Sequence, residues 1–516
     1  MALVPDELRR VAERFPDRVA SLVDGSGSMT FAEWERRSNS VARSLVELGV
    51  APGDRVALLL ANQDALWYQI AYFATQKAGG VAAPINPRLA RREVAHILEN
   101  ARPRVLVAGG DQLERARDLT AALDTPCAVV GPEGGASHTW AAMEANEDDT
   151  FQVQVASSDL ADIVYTSGTT GLPKGVASTH ENVLHIPVTP SEREDALLHA
   201  APLATALGTY GAMIASLRLA LTNICLPSFA TARFAQLIGS HRPGWLLVVP
   251  AQVLLLREAG VLEGVDTSSV WMVLFSTAPM PPEATRWLAA TFPQAMLVNV
   301  YGLTEAGDAA CLLPPDQVSQ RPGSVGKPIE GAAVRVVDND GNGLPANQVG
   351  ELLIRIGGGR RFYFGEPEST TQTWQHGWVH TGDLGYLDTE GFVYVVDRKK
   401  DMIIRGGYNI YSIEVENALY EHPAIVEAAV LGVPHEVLGQ DVLAVVRLAE
   451  GASLDLGALH VFLADRLADY KHPHRLVVAQ GPLPRTSLDK VDKLVLRSEL
   501  ELDFRQTGRS GAQEHP

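Results

Sequence analysis

The sequence predicts an α/β protein with a large N-terminal domain of layered α/β subdomains, a β-rich subdomain at its end, and a small α+β C-terminal domain. Three observations lead there. Short apolar runs alternate with segments of helical spacing through the first half of the chain, the pattern of stacked helix and strand layers. Shorter strands separated by turns begin at about residue 332, and the pattern changes once more past residue 398. A chain of 516 residues, 46% of them apolar, is also too long for one ordinary core.

In chain order, residues 31–48 carry apolar side chains at helical spacing, and residues 56–60 and 105–108 read as buried strands. Residues 245–250 and 270–275 are apolar runs that end in turn chemistry and lead into helix-like segments. Ligands are expected at such strand ends. The turns at residues 338–343 and 388–391, rich in Asp, Asn and Gly, mark the β-rich stretch. Beyond it, residues 413–420 read as a helix, 426–433 and 442–448 as strands, and 456–467 as a helix. The expected division is residues 1–398 for the large domain, 399–503 for the small one, and 504–516 for a polar, disordered tail.

A formal charge of −18 opposes nucleic acid and anionic lipid as partners, and the longest Lys/Arg run is Arg398-Lys399-Lys400. No apolar run reaches the length of a membrane span and the first residues are charged, so a cytoplasmic protein is expected. Cys127, Cys225 and Cys311 are far apart and lack metal-ligand spacing, which reads as three reduced core residues.

The segment Tyr165-Thr-Ser-Gly-Thr-Thr-Gly-Leu-Pro-Lys-Gly-Val176 runs from a strand end into a loop suited to polyphosphate. Gly168 and Gly171 let backbone N–H groups approach phosphate oxygens, Thr166, Ser167, Thr169 and Thr170 offer hydroxyl donors, and Lys174 adds charge. Its spacing, Gly168-x-x-Gly171-x-x-Lys174, is not that of a Walker loop. Four further strings follow. Tyr301-Gly-Leu-Thr-Glu305 offers an aromatic face, a hydroxyl at Thr304 and a carboxylate suited to Mg²⁺. Trp378-Val-His-Thr-Gly-Asp383 ends on an acid at a strand end. A charged junction runs from Val395 through Arg398 and Lys400 to Asn409, and Leu483-Pro-Arg-Thr-Ser-Leu-Asp-Lys490 closes the set.

In this order, from about residue 8 to about residue 500, the five motifs resemble those of the adenylate-forming superfamily: acyl-CoA synthetases, aryl-CoA ligases, luciferases and the adenylation domains of peptide synthetases. The resemblance is strongest to the acyl-CoA ligases. It implies ATP, Mg²⁺ and coenzyme A as cofactors and a carboxylic acid as substrate, activated as acyl-AMP with release of pyrophosphate. By resemblance Tyr301 and Thr304 contact the nucleotide, Glu305 holds Mg²⁺, Asp383 the ribose, and Arg398 the nucleotide. Lys400 is then the hinge of a mobile lid, Gly406 and Gly407 lie on the coenzyme A side, and Lys490 is the catalytic lysine.

Two departures narrow the expectation. Asp489 stands where the family usually has glycine, so Lys493 is kept as a second candidate. Ala204 and Thr205 replace the aromatic residue and histidine that many coenzyme A ligases carry. The expected acyl pocket is Ala204, Leu207, Val249, Ser276, Thr277, Ala278 and Val300, small or apolar residues without a cation, which suits an aryl or aliphatic monoacid. Three readings stay open at this point: transfer to coenzyme A, loading of a carrier-protein thiol, and a remainder that covers adenylation of another oxyacid such as nitrite for attack by an amine and a non-catalytic binding protein on the same scaffold, the last opposed by the retained Glu305, Asp383, Arg398 and Lys490.

Overall fold

The computed structural model describes residues 2–123, 127–132, 136–166, 172–307, 309–318, 320–321, 323–357, 359, 361–486 and 490–506. Its strands form three sheets among these residues. An eight-stranded sheet has a parallel centre, with Arg55–Leu59 between Val81–Pro84 and Val105–Ala108. It continues through Leu160–Thr166 into the antiparallel strand Lys174–Thr179. A fourteen-stranded sheet has a parallel half that contains Ala196–His199, Trp245–Val248, Met272–Phe275 and Met296–Tyr301. Antiparallel strands carry it on through Cys311–Leu313 and Ser324–Pro328 to Val393–Arg398 and Trp378–Leu387. A five-stranded sheet is built from segments after residue 402.

The helix expected at residues 31–48 spans Phe31–Glu47. Thr30 and Glu33 bond reciprocally at its start, satisfying two N–H groups that the first turn leaves without helical partners. Helix Ala65–Lys77 is buried along nearly its whole length and contacts strands of both large sheets, so its sequence is apolar on every face instead of striped. Lys77 at its end is fully buried, with Glu35 at 2.7 Å and Asn39 at 2.6 Å, and burial pulls its ammonium down to about 8. The main apolar core lies between these two sheets, and a separate core fills the unit that follows residue 402.

Most expected elements appear within a residue or two. The helix expected at 456–467 stops at Leu463, because the N–H groups of Arg466 and Leu467 both reach the Leu463 carbonyl and the tight turn carries Leu467 into the core. The last helix, Lys493–Gln506, runs three residues into the expected tail, over residue types that favour helix. Cys225 and Cys311 are buried and Cys127 is half-buried; all three are free thiols that burial pushes up to about 12. No helix among the described residues is long and apolar enough to cross a membrane.

Candidate active site

Three parallel strands end side by side. In their register Val248 pairs with Phe275 and Phe275 with Asn299, so Val249, Ser276 and Val300, each the next residue on, come together at the carboxyl ends. Tyr301 is the last residue of its strand. Its buried hydroxyl donates to Asp383 Oδ2 at 2.7 Å, and burial followed by the Asp383 charge holds the phenol well above its ordinary pKa. Asp383 lies on Trp378–Leu387 directly opposite Arg398, whose Nε is 2.6 Å from Asp383 Oδ1. The Asp383 side chain is 5% exposed against 43% for Arg398, so the carboxylate is fixed while the guanidinium edge stays open to a ligand.

Lys490, in the C-terminal unit, lies within the electrostatic influence of this group. Burial is the largest influence on its ammonium, Arg398 and Lys400 repel it and Asp383 and Glu305 attract it, which together bring it down to about 8. Lys493 is engaged elsewhere: its Nζ donates to Ser412 Oγ at 2.8 Å and pairs with Glu416 at 2.7 Å. Asp489, which raised the question between the two lysines, lies outside the described residues.

Thr304 opens a single 3₁₀ turn, Thr304–Ala306, that holds Glu305. Glu305 Oε1 accepts from Tyr363 Oη at 2.9 Å and from Thr166 Oγ1 at 3.4 Å. The turn closes on Gly307 at φ +88°, a backbone conformation that favours glycine, and a Cβ there would lie 2.5 Å from Nη1 of the buried Arg361. Ser167, Gly168, Thr169, Thr170 and Gly171 lie outside the described residues. Of the flanking loop residues, Thr166 pairs with Lys174 across the two strands, and Lys174 bonds Ser369 at 2.9 Å with Glu366 at 3.8 Å. Lys174 thus has an acidic neighbour 192 positions along that nothing in the loop sequence announces. One carboxylate at Glu305, beside Thr166 Oγ1, fits Mg²⁺, an ion held by one or two carboxylates with substrate oxygens completing its shell.

Around the expected acyl wall, Leu207 and Val249 share one apolar cluster, and Ala204 packs in a different one with Leu203 and Met213. Leu207 opens a π-helical stretch, Leu207–Ile214, a rare geometry that is frequent at functional sites. Thr277 takes φ +80°, which is unusual for a β-branched residue, and its buried Oγ1 makes no hydrogen bond among the described residues. Ala278 follows it. Lys400 lies in the turn after Val393–Arg398, and Gly406 and Gly407 form the turn between Ile403–Arg405 and Tyr408–Ile410, both at positive φ.

Sequence reasoning did not find Tyr363, Arg361 or Thr381. Tyr363 sits in an aromatic run, Phe362-Tyr-Phe364, that signals only a strand, and Glu305 is 58 residues away. Thr381 Oγ1 donates to Leu352 O at 2.7 Å and accepts from Asp383 N at 3.0 Å, which fixes the turn of the acid; its place in Thr381-Gly-Asp383 was the one available signal.

With that geometry in view, the comparisons with known proteins agree in both parts of the chain. The AMP-binding enzyme family matches residues 8–364, and the AMP-binding enzyme C-terminal domain matches residues 414–490. The chain is 33% identical to a fatty acid–[acyl-carrier-protein] ligase, ScoC, of Streptomyces coeruleorubidus, over 94% of each chain. It is likewise 33% identical to a feruloyl-CoA synthase of an Amycolatopsis species, over 93% of this chain and 96% of that one. Among solved structures it resembles ATP-bound MatB from Rhodopseudomonas palustris, with a TM-score of 0.86, 30% identity, and coverage of 96% of this chain and 99% of that one. By sequence in both parts and by fold, the chain belongs to the AMP-binding, adenylate-forming enzyme family that its motifs resemble.

Proposed function

We propose that this protein uses ATP to convert an aryl or aliphatic monocarboxylic acid into its acyl adenylate and then passes the acyl group to the thiol of coenzyme A. The observation that carries the reading is that Lys490, from a loop of the C-terminal unit, lies within the electrostatic influence of Asp383, Arg398 and Glu305, which two antiparallel strands of the fourteen-stranded sheet and the turn after Met296–Tyr301 supply. In the first step the acid's carboxylate oxygen bonds to the α-phosphorus and the bond to the β-phosphate bridging oxygen breaks, releasing pyrophosphate. Lys490 then offers a positive donor where charge develops between carboxylate and phosphate. Asp383 accepts the ribose hydroxyls, Arg398 and Tyr301 contact the nucleotide, and Thr166, Thr304 and Lys174 serve the phosphates together with the loop from Ser167 to Gly171. Mg²⁺ at Glu305 would neutralise triphosphate charge.

The division into residues 1–398, 399–503 and 504–516, with Lys400 as the hinge, belongs to the same reading, as does a cytoplasmic location. In the second step the thiol enters from the side of Gly406 and Gly407, after the unit bearing Lys490 has turned away. A carrier-protein thiol is the second acceptor, favoured by the likeness to a ligase named for that acceptor. The acid is assigned from the expected wall of Ala204, Leu207, Val249, Ser276, Thr277, Ala278 and Val300, residues that include no cation for a second carboxylate. ATP–pyrophosphate exchange over a panel of acids tests the first step. Exchange with an aryl or aliphatic monoacid is expected; exchange only with amino acids or dicarboxylates would overturn the assignment. Adding coenzyme A or a phosphopantetheinylated carrier protein to the acid so found then decides the acceptor.

A further inference from the structure

A string of four charged residues leads from the large sheets to the loop that bears Lys490. Glu427, 3% exposed, lies on Ile425–His435 directly opposite Arg447 on Gly439–Leu448. Its Oε2 takes Arg447 Nε at 2.5 Å and the Leu483 N–H at 3.3 Å, and its Oε1 takes Arg485. Arg485 stands at the base of the lysine loop: it pairs with Val491 across a short bridge, the Thr486 N–H donates to Lys490 O at 2.7 Å, and the Asp492 N–H donates to Pro484 O at 2.7 Å. On the other side, Arg447 grips Glu258 with both terminal nitrogens, Nη1 to Oε1 at 3.1 Å and Nη2 to Oε2 at 2.9 Å. Glu258 is the penultimate residue of helix Pro250–Ala259, which starts immediately after Val249.

Arg447, Glu427 and Arg485 all belong to the unit that carries Lys490, whereas Glu258 belongs to the body that carries Asp383 and Glu305. The links differ in strength. Glu427 is out of water and needs its two arginines, since a buried carboxylate left without a cation is strongly disfavoured. Glu258 is 36% exposed at its side chain, so its pair with Arg447 can open at a cost of about the size of a surface ion pair. Its two-pronged geometry nonetheless fixes one orientation of Arg447.

We propose that Glu258 is a positioning residue for acid activation: it clamps Arg447, holds Lys490 in place through Glu427 and Arg485, whose neighbour Thr486 bonds the Lys490 carbonyl, and is the contact that opens when Lys490 leaves. The inference rests on the reading that Lys490 serves the first step. The test uses the full-length Glu258→Gln, Lys490→Ala and double variants, each assayed for pyrophosphate exchange and, separately, for thioester formation from synthetic acyl-AMP and coenzyme A. Glu258→Gln is expected to lower exchange about fivefold, the rate equivalent of about 1 kcal/mol, while thioester formation stays equal or rises and the melting temperature is unchanged. Added to Lys490→Ala it should cost nothing more, because the clamp acts only through that lysine. An equal fall in both half-reactions, or the same fivefold loss on top of Lys490→Ala, overturns the clamp. If Lys490→Ala abolishes exchange and Glu258→Gln changes nothing, the clamp alone is overturned. If Lys490→Ala exchanges normally, the reading of Lys490 falls first and the clamp with it.

Discussion

Asp383 and Arg398 face each other across two antiparallel strands, 2.6 Å apart, and Asp383 also accepts the Tyr301 hydroxyl. Three motifs that are far apart in the chain meet at this carboxylate. Asp383→Asn keeps its shape and removes its charge, so the fold should persist while the hold on ribose weakens. A hydrogen bond to a charged group contributes about 1.5–3 kcal/mol, which predicts ATP binding weaker by about 10- to 100-fold. Calorimetric titration reads this directly, and an unchanged affinity in a folded variant would remove the ribose role.

Lys490→Ala should lower acyl-AMP formation by about 10² to 10³, the usual loss of one preorganised donor, and leave thioester formation from supplied acyl-AMP near its native rate. Lys493→Ala, which loses contacts to Ser412 and Glu416, should keep adenylation. The reverse outcome would move the catalytic role to Lys493.

The same lysine predicts a pH dependence. Its ammonium titrates near 8 in the nucleotide-free site, where the charged form is present below that pH and lost above it. The kcat/KM of adenylation, which reports the free enzyme, should therefore decline as pH rises through about 8. Lys490→Ala should lack this descending limb, and a profile shared by both proteins would assign the titration to another group.

Tyr363→Phe removes the 2.9 Å bond to Glu305 and retains the ring that packs edge-on against Trp374 at 4.9 Å. The expected result is a several-fold rise in the Mg²⁺ concentration needed for half-maximal pyrophosphate exchange, with little change in melting temperature. If the metal requirement stays the same, Tyr363 acts by packing alone.

Thr277→Gly places glycine where the backbone turns to φ +80°. Strain of this kind costs about 1–3 kcal/mol, against about 0.5–1 kcal/mol for the extra freedom of glycine in the unfolded chain. The variant should be more stable by about 1 kcal/mol, visible as a higher denaturant midpoint. A lower midpoint would show that the hydroxyl or methyl of Thr277 contributes more than its backbone costs.

The elements legible in the sequence were those whose signal is local. Helix Phe31–Glu47 follows from helical spacing and strand Val105–Ala108 from its apolar run, and Tyr301, Glu305, Asp383 and Lys490 stood out because their neighbours form recognisable strings. The sequence by itself therefore determined the layered α/β class, the order of the motifs, and which side chains could carry nucleotide chemistry. Only the tertiary structure decided their partners. Tyr363 with Glu305, Lys174 with Glu366, and Glu258 with Arg447 join residues 58, 192 and 189 positions apart. No local pattern encodes such pairs, because each depends on where separate strands and helices end once the cores have packed. The surroundings of Lys490 and Lys493 have the same origin: both are equally cationic in sequence, whereas the packing of its own unit ties Lys493 to Glu416 and places Lys490 under the influence of Arg398, Asp383 and Glu305.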